Sequence, residues 1–176
     1  MPPKHLLFLL ALLAQIVILG VGPVKQEMIR VQGQVVTLQT RPTDRYVLNY
    51  GYFVKLRYEI TDPLGFTHSD DEVGQRVYTI LETGAGGIWK AVGFVMEWPS
   101  QLGAGQVVIK GRVARSYAAG PIRYGIESYY LPEPELRRIR ESIDQNQGTI
   151  RVDVAVDAGG NAAILRLHVG DEVYEY

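Results

Sequence analysis

The chain has 176 residues, enough for one ordinary domain and an accessory segment. Its 18 lysines and arginines nearly balance its 19 aspartates and glutamates, so the net charge of -1 gives no reason to expect a nucleic-acid partner. Because the sequence contains no cysteine, disulfides, thiolate zinc sites, iron–sulfur clusters and a cysteine nucleophile are excluded. Eleven tyrosines together with many valines and isoleucines favour strands over helices.

The first segment along the chain is an uncharged apolar stretch at residues 6–24, in which Gln15 is the one polar side chain. At about 1.5 Å per residue, a helix of this length covers roughly 28 Å, which is close to the hydrocarbon thickness of a bilayer. The short stub that contains Lys4 is easily left in the cytoplasm while the rest crosses. We therefore predict a transmembrane anchor at residues 1–24 and a body at residues 25–176 on the extracytoplasmic side.

Two other interpretations of the apolar stretch remain open. A cleaved signal peptide would use residues 20–22 as small-residue cleavage positions, but Pro23 would then follow the cut, and the apolar run is long for a signal. A buried core helix is the second alternative. It is disfavoured because a helix that is apolar on every face has no side to turn toward solvent.

The body is predicted to consist mainly of strands. In the clearest of them, residues 52–60, apolar and charged side chains alternate, which is typical of a half-buried strand with one wet face. Glycine-rich turns at residues 84–87 and 157–161 predict two hairpins. The other predicted strands are 28–40, 76–83, 88–98, 106–115, 122–131, 149–156 and 162–169.

One helix is predicted in the body, at residues 132–146. Pro132 suits the first helical position, and Glu133 and Glu135 would lie near the positive end of the helix dipole. The tail at 171–176 is predicted to lack regular structure. The fold class is therefore α+β: a transmembrane helix, then a mostly antiparallel β domain with one helix, in which a partly closed barrel is one arrangement of the strands.

The strand that begins near Gly51 carries a family resemblance. Its sequence, GYFVKLRY, resembles the signature of the GDYXXLXY family and matches it at Gly51, Leu56 and Tyr58. Phe53 stands in place of the first signature tyrosine, and Tyr52 stands where the signature has aspartate, so this chain has lost any charge-dependent role of that aspartate. The blocks VIKGRV and YGIESYYLPE follow in the family's order. The resemblance implies a membrane-anchored, often bacterial protein whose biochemical role is not established.

The segment 124–130 places one carboxylate among several phenols. Glu127 could bind a cation there, or have a raised pKa suited to proton transfer. Alternatively, it accepts hydrogen bonds from tyrosines or pairs with an arginine, and so fixes the strand register. Together with the signature residues, the predicted binding residues are Glu127, Tyr124, Tyr129, Tyr130, Gly51 and Tyr58.

Lys110 lies within an apolar strand, and a desolvated lysine can act as a general base. The order of anchor, glycine strand and lysine strand is distantly similar to that of signal peptidases, but the serine nucleophile expected there is absent. The alternative is an exposed strand lysine. Lys110 and Glu127 are thus the two weak catalytic candidates. His168 has no obvious partner, and the acidic residues near 70–72 lack the pattern of a calcium loop.

These features favour a binding or assembly module, an accessory subunit of a membrane or envelope protein complex. It would meet the membrane through residues 6–24 and a protein partner through its body. The alternative is a membrane-anchored hydrolase with a lysine or glutamate base, and small-molecule or ion sensing is a third hypothesis. No cofactor, metal ion or nucleic acid is expected to bind.

Overall fold

A computed structural model describes residues 4–41, 53–62, 66–67, 69–115, 120–145 and 150–175. Three single-turn 3-10 helices lie at Glu59–Thr61, Asp70–Glu72 and Ala85–Gly87. The described helices and strands are, in chain order, α1 (Lys4–Gln32), β1 (Gln34–Gln39), β2 (Phe53–Lys55), β3 (Arg76–Thr83), β4 (Ile88–Val95), β5 (Gln106–Val113), β6 (Ile122–Arg123), β7 (Ser128–Tyr130), α2 (Glu133–Gln145), β8 (Arg151–Val156), β9 (Ala162–Val169) and β10 (Glu172–Glu175).

Eight of these strands form one sheet in the order β10-β9-β8-β1-β4-β3-β5-β6, and β2 pairs with β7 in a second, two-stranded sheet. Neighbouring strands are antiparallel except β1 and β4, which run parallel. Both predicted hairpins are present, β3–β4 and β8–β9. The predicted fold class, a mostly antiparallel α+β domain behind a long apolar helix, is therefore confirmed.

The eight-stranded sheet curls into a half-barrel. Three strands separate β5 from β8 in the sheet, yet the N–H of Lys110 on β5 donates to the carbonyl of Gly160, in the turn after β8, at 2.8 Å. Gly160 has a φ of 75°, a conformation that favours glycine. A Cβ there would lie 3.2 Å from Lys110 N and from Val108 O, so the turn can approach β5 this closely only because it carries a glycine.

The interior of the half-barrel holds the core. Val54, Leu56, Tyr58 and Ile60 are all buried, which confirms the alternation that the sequence predicted for residues 52–60. The strand itself is shorter than predicted, because regular pairing ends at Lys55 and the chain turns into the 3-10 helix Glu59–Thr61.

The predicted strand 122–131 is wrong in one respect, since the structure divides it into β6 and β7, which belong to different sheets. Gly125, with a φ of 83°, lies in the turn between them. The tail predicted to lack structure forms β10, which pairs with β9 through the two-residue turn of Gly170 and Asp171. A Gly-Asp pair is a recognised hairpin turn.

Helix α2 begins at Glu133, one residue after the predicted start at Pro132. Ile139 and Ile143, one turn apart, are buried against the half-barrel core. The prediction of a single amphipathic helix in this region is therefore confirmed.

Helix α1 continues beyond the predicted anchor boundary at residue 24, so the strand predicted from residue 28 begins instead at Gln34. Ile29, 4% exposed, packs against Ala155 and Ala163 of the β8–β9 hairpin. A Cβ at Gly33 would lie only 2.5 Å from the carbonyl oxygen of Ile29. The helix therefore joins the body directly, without a linker.

The rest of α1 projects away from the body. Its segment Leu6–Gln32 is long and apolar enough to cross a membrane, and none of its most apolar window is buried. This is compatible with membrane association. Between Val24, the end of the apolar stretch, and the docked Ile29, the helix rises by about 8 Å.

We expect Ile29→Ala to lower the free energy of unfolding of the full-length protein in detergent micelles by about 2 kcal/mol, because it leaves a gap between α1 and the β8–β9 hairpin. Urea titration measures this change, and hydrogen exchange at the amides following residue 29 should accelerate. The matched control is Val31→Ala on the same helix. Val31 is 74% exposed, so the change should be within about 0.5 kcal/mol. Equal effects of the two variants would contradict the docked arrangement.

Candidate functional site

An open groove of about 690 Å³ lies where β3, β5 and β6 meet. We call it the arginine groove, because arginine is the commonest residue in its lining. Both catalytic candidates, Lys110 and Glu127, also line it. The full lining is Val73, Gly74, Arg76, Lys110, Gly111, Arg112, Val113, Ala114, Arg115, Arg123, Tyr124, Gly125 and Glu127.

Three of these arginines stand in a row. Arg76 of β3 is directly opposite Arg112 of β5, and Arg112 is directly opposite Arg123 of β6. Directly paired residues of neighbouring strands share one face of a sheet, and the strands are about 4.8 Å apart. All three side chains are exposed. We call this row the arginine ladder.

The ladder has no carboxylate partner in the part of the chain that the structure describes. None of the ion pairs between described residues includes Arg76, Arg112 or Arg123. Arg112 donates instead to the carbonyl of Gly74 at 2.9 Å, which holds its guanidinium over the groove. Like charges placed directly opposite each other destabilise a sheet. The groove therefore concentrates positive charge at a cost to folding.

Lys110 lies at one side of the arginine groove and holds the half-barrel closed. Its ammonium donates a hydrogen bond to the side-chain oxygen of Asn161, and its backbone N–H is bonded to Gly160. Burial would raise the pKa of the nearby Asp157. Hydrogen bonds from Asn161 and Gly159, together with the charge of Lys110, outweigh burial and hold that pKa below its usual value. The contacts of Lys110 thus connect β5 to the β8–β9 turn.

Glu127 caps the turn between β6 and β7. Its carboxylate accepts hydrogen bonds from the backbone N–H of Tyr124 and, at 3.0 Å, from that of Gly125. Its own carbonyl accepts from the N–H of Leu56 at 2.8 Å. This geometry agrees with the alternative that Glu127 fixes the local chain path, and its use in binding or proton transfer stays a prediction.

The buried tyrosines near Glu127 direct their hydroxyls elsewhere. Tyr58 donates to the carbonyl of Ile126 at 2.8 Å, and the Tyr124 hydroxyl contacts the carbonyl of Ile60 and the hydroxyl of Thr79, each at 2.8 Å. Burial is the main cause that raises the pKa of both phenols, and the charge of Glu127 raises it further. Both phenols are therefore neutral groups of the core.

The other predicted binding residues are dispersed. Tyr129 is buried in the core, whereas Tyr130 is 61% exposed and stacks against Phe53 with ring centroids 5.5 Å apart. Gly51, and Tyr52 beside it, lie outside the described residues. The structure thus brings Glu127, Tyr124 and Lys110 to one groove and leaves Tyr130 at a separate surface.

A second polar cluster, which the sequence did not predict, lies on the outer face of β1, β8 and β9. Asp153 accepts from the Thr37 hydroxyl at 2.7 Å, contacts Nε2 of His168 at 2.9 Å and pairs with Nε of Arg166 at 3.2 Å. Burial acts to raise the pKa of Asp153. The hydrogen bonds from His168 and Thr37 and the nearby positive charges outweigh burial and hold that pKa below its usual value. His168 therefore does have a partner.

Comparison with known proteins places the chain in a family. The family model described as GDYXXLXY protein matches residues 15–167, which include part of α1 and nearly all of the half-barrel. The chain belongs to the GDYXXLXY family. No curated protein and no solved structure matches it. The family assignment predicted from the residues around Gly51 is confirmed, and it brings no activity with it.

Glu127→Gln should lower the free energy of unfolding of this GDYXXLXY protein by about 1 kcal/mol. The reason is that the uncharged amide replaces a carboxylate that accepts two backbone hydrogen bonds. Urea unfolding of the full-length protein in micelles measures the change. Glu59→Gln, at an exposed carboxylate, is the control and should have no measurable effect. Unchanged stability in Glu127→Gln would show that the turn does not need the charge.

Asp153→Asn should flatten the dependence of stability on pH in acid. The folded-state pKa of Asp153 is below its ordinary value, so its carboxylate adds to the free energy of unfolding. This contribution is complete when the pH is above the ordinary pKa, and it is lost as the pH falls through the folded-state pKa. Between about pH 5 and pH 2, the wild-type protein should lose more unfolding free energy than the variant. The control Glu97→Gln should keep the wild-type slope. Identical slopes for Asp153→Asn and the wild type would refute the assignment.

Proposed function

We propose that this GDYXXLXY protein is a membrane-anchored binding module on the extracytoplasmic side, serving as an accessory subunit of a membrane or envelope protein complex. The observation that carries the proposal is the arginine groove. The charges of its ladder remain free of ion pairs among the described residues, while Lys110 and Glu127 are engaged in hydrogen bonds that hold the fold.

The anchoring part of the proposal is supported by α1. Residues 6–28 of this helix are exposed apart from the half-exposed Gly20, and residues 6–24 are apolar apart from Gln15. A helix with such a surface is stabilised by lipid around it. The positive charge of Lys4, just before the apolar stretch, favours a body on the extracytoplasmic side. Because α1 docks onto the body, the body would lie directly on the membrane surface.

Binding is favoured over hydrolysis by the occupation of the candidate bases. A general base needs a free lone pair within reach of the proton that it removes. Glu127 accepts backbone N–H groups, and Lys110 is tied to Asn161. Among the described residues that line the arginine groove, the one hydroxyl belongs to Tyr124, whose oxygen is bonded within the core. As a base, Lys110 would have to leave Asn161, and Glu127 would have to use lone pairs that the turn leaves free while still holding the turn.

Crosslinking in intact cells tests the proposal. The tagged full-length protein is treated with a membrane-impermeant crosslinker and purified under denaturing conditions, and captured proteins are quantified. We expect one partner in a constant, near-stoichiometric ratio. A matched control replaces residues 6–24 with an unrelated apolar anchor and should capture the same partner, because the body carries the recognition.

Three results would count against the proposal. Capture only with a permeant crosslinker would place the body in the cytoplasm, and capture lost with the replaced anchor would assign recognition to α1. If neither reagent captures a partner, the binding module is rejected. Ester and peptide hydrolysis by membranes containing wild-type, Lys110→Met and Glu127→Gln protein would then test the hydrolase alternative.

A further inference from the structure

We propose that the arginine ladder binds an extended acidic segment of a protein partner. This inference rests on the proposed function, because it names the chemistry by which the binding module would recognise its partner. It concerns Arg76, Arg112 and Arg123, none of which was singled out in the sequence.

The first argument is electrostatic. Each pair of neighbours in the ladder places two positive charges directly across a strand pair, which destabilises the isolated protein. The acidic turn Asp70–Glu72 is close along the chain, but among the described residues no carboxylate forms an ion pair with the ladder. A ligand with several negative charges would remove the repulsion. Such a ligand would therefore bind more tightly here than at a surface whose arginines already have carboxylate partners.

The second argument is the shape of the site. Three arginines on adjacent strands extend over about 10 Å, longer than one small oxyanion can cover. An extended peptide carries side chains on one side about every 7 Å, so two carboxylates would meet the row. Guanidinium groups bind carboxylates through two parallel hydrogen bonds.

The third argument is the distance from the anchor. Gln32 and Gln34, where α1 meets β1, line a separate cavity of about 300 Å³ together with Gln106, the first residue of β5. The arginine groove lies around Arg112, near the other end of β5. Gln106 and Arg112 are six residues apart on β5, which is roughly 20 Å along the strand. This separation from the anchor favours a polypeptide over the headgroups of the surrounding lipids.

The test uses full-length protein in nanodiscs of zwitterionic lipid. The probe is a fluorescent pentapeptide of alternating glutamate and valine, and its uncharged counterpart has glutamine at each glutamate position. Fluorescence anisotropy should show binding of the acidic peptide that weakens as salt is raised, and no binding of the uncharged one. Equal binding of both peptides, or no binding of either, would overturn the proposal.

The variant is the double substitution Arg76→Gln with Arg123→Gln, which retains Arg112 and its bond to Gly74. Affinity for the acidic peptide should fall at least about tenfold. The control Arg138→Gln removes an exposed arginine of α2 and should leave affinity unchanged. The unfolding midpoint of the double variant should stay the same or rise, because repulsion is removed. Retained affinity, or loss of affinity together with unfolding, would contradict the assignment.

Competition separates other anions from the peptide. Inorganic phosphate at millimolar concentration and vesicles of phosphatidylglycerol should displace the peptide only weakly. Full displacement by phosphate would make the site a phosphate site, and full displacement by vesicles would make it a lipid site. Either result overturns the proposal of an acidic peptide.

The crosslinking experiment distinguishes failure of this inference from failure of the proposed function. If the double variant captures the same partner as efficiently as the wild type, the module binds its partner elsewhere and only the ladder assignment falls. If the wild type binds the peptide yet captures no partner in cells, the ladder chemistry stands and the role as an accessory subunit falls.

Discussion

The contact between β5 and the turn joining β8 to β9 links strands that lie on opposite sides of the curled sheet, with β1, β4 and β3 between β8 and β5. Lys110 makes this contact twice, through its backbone N–H to Gly160 and through its ammonium to Asn161. The carboxylate of Asp157 stabilises this turn by accepting hydrogen bonds from the backbone N–H groups of Gly159 and Asn161. With these strands linked, the buried faces of β1, β3, β5 and β8 enclose the main core, to which α2 and the β2–β7 pair also contribute.

This closure lies next to a feature of β5 that costs stability, because Lys110 and Arg112 are two residues apart on that strand. The positive charges of the arginine ladder repel one another. The pairing of β5 with the two-residue β6 would be too small to offset this repulsion by itself. The large shared core, together with the turn capped by Glu127, supplies the compensation. Positions that lower stability without a structural benefit are common at binding sites, because selection for function tolerates the loss. The ladder has this character, whereas Lys110 and Glu127 have structural partners.

Much of the fold could be predicted from local patterns. Alternation identified the buried residues of 52–60, and glycine-rich turns identified both hairpins. The division of residues 122–131 was missed because Ile122, Tyr124 and Ile126 are buried at every second position, which is equally compatible with one strand. The tail was missed although Gly170 and Asp171 supply a hairpin turn. The length of α1 depends on the packing of Ile29 against the β8–β9 hairpin, which no local pattern reveals.

The site was less accessible to prediction, because it depends on register between distant strands. The three arginines of the ladder are far apart in the chain and align only through the pairing of β3, β5 and β6. The partner of His168 was missed for a related reason. A bulge between Asp153 and Val154 shifts the β8–β9 register and places Asp153 opposite Arg166. Single-residue shifts of this kind change which side chains face each other, and no pattern in the sequence predicts them.

The docking of α1 has a consequence for how this protein would meet another one. Ile29 packs on Ala155 and Ala163, and Gly33 alone separates α1 from β1, so helix and body form one joined piece without a long tether. In a bilayer such a piece can drift laterally and spin about the helix axis, but it cannot reach outward as a domain on a flexible tether does. The arginine groove would then trace a circle at constant height above the lipid. A binding segment on another chain would be met only at that height, so a search in three dimensions becomes a search within a plane.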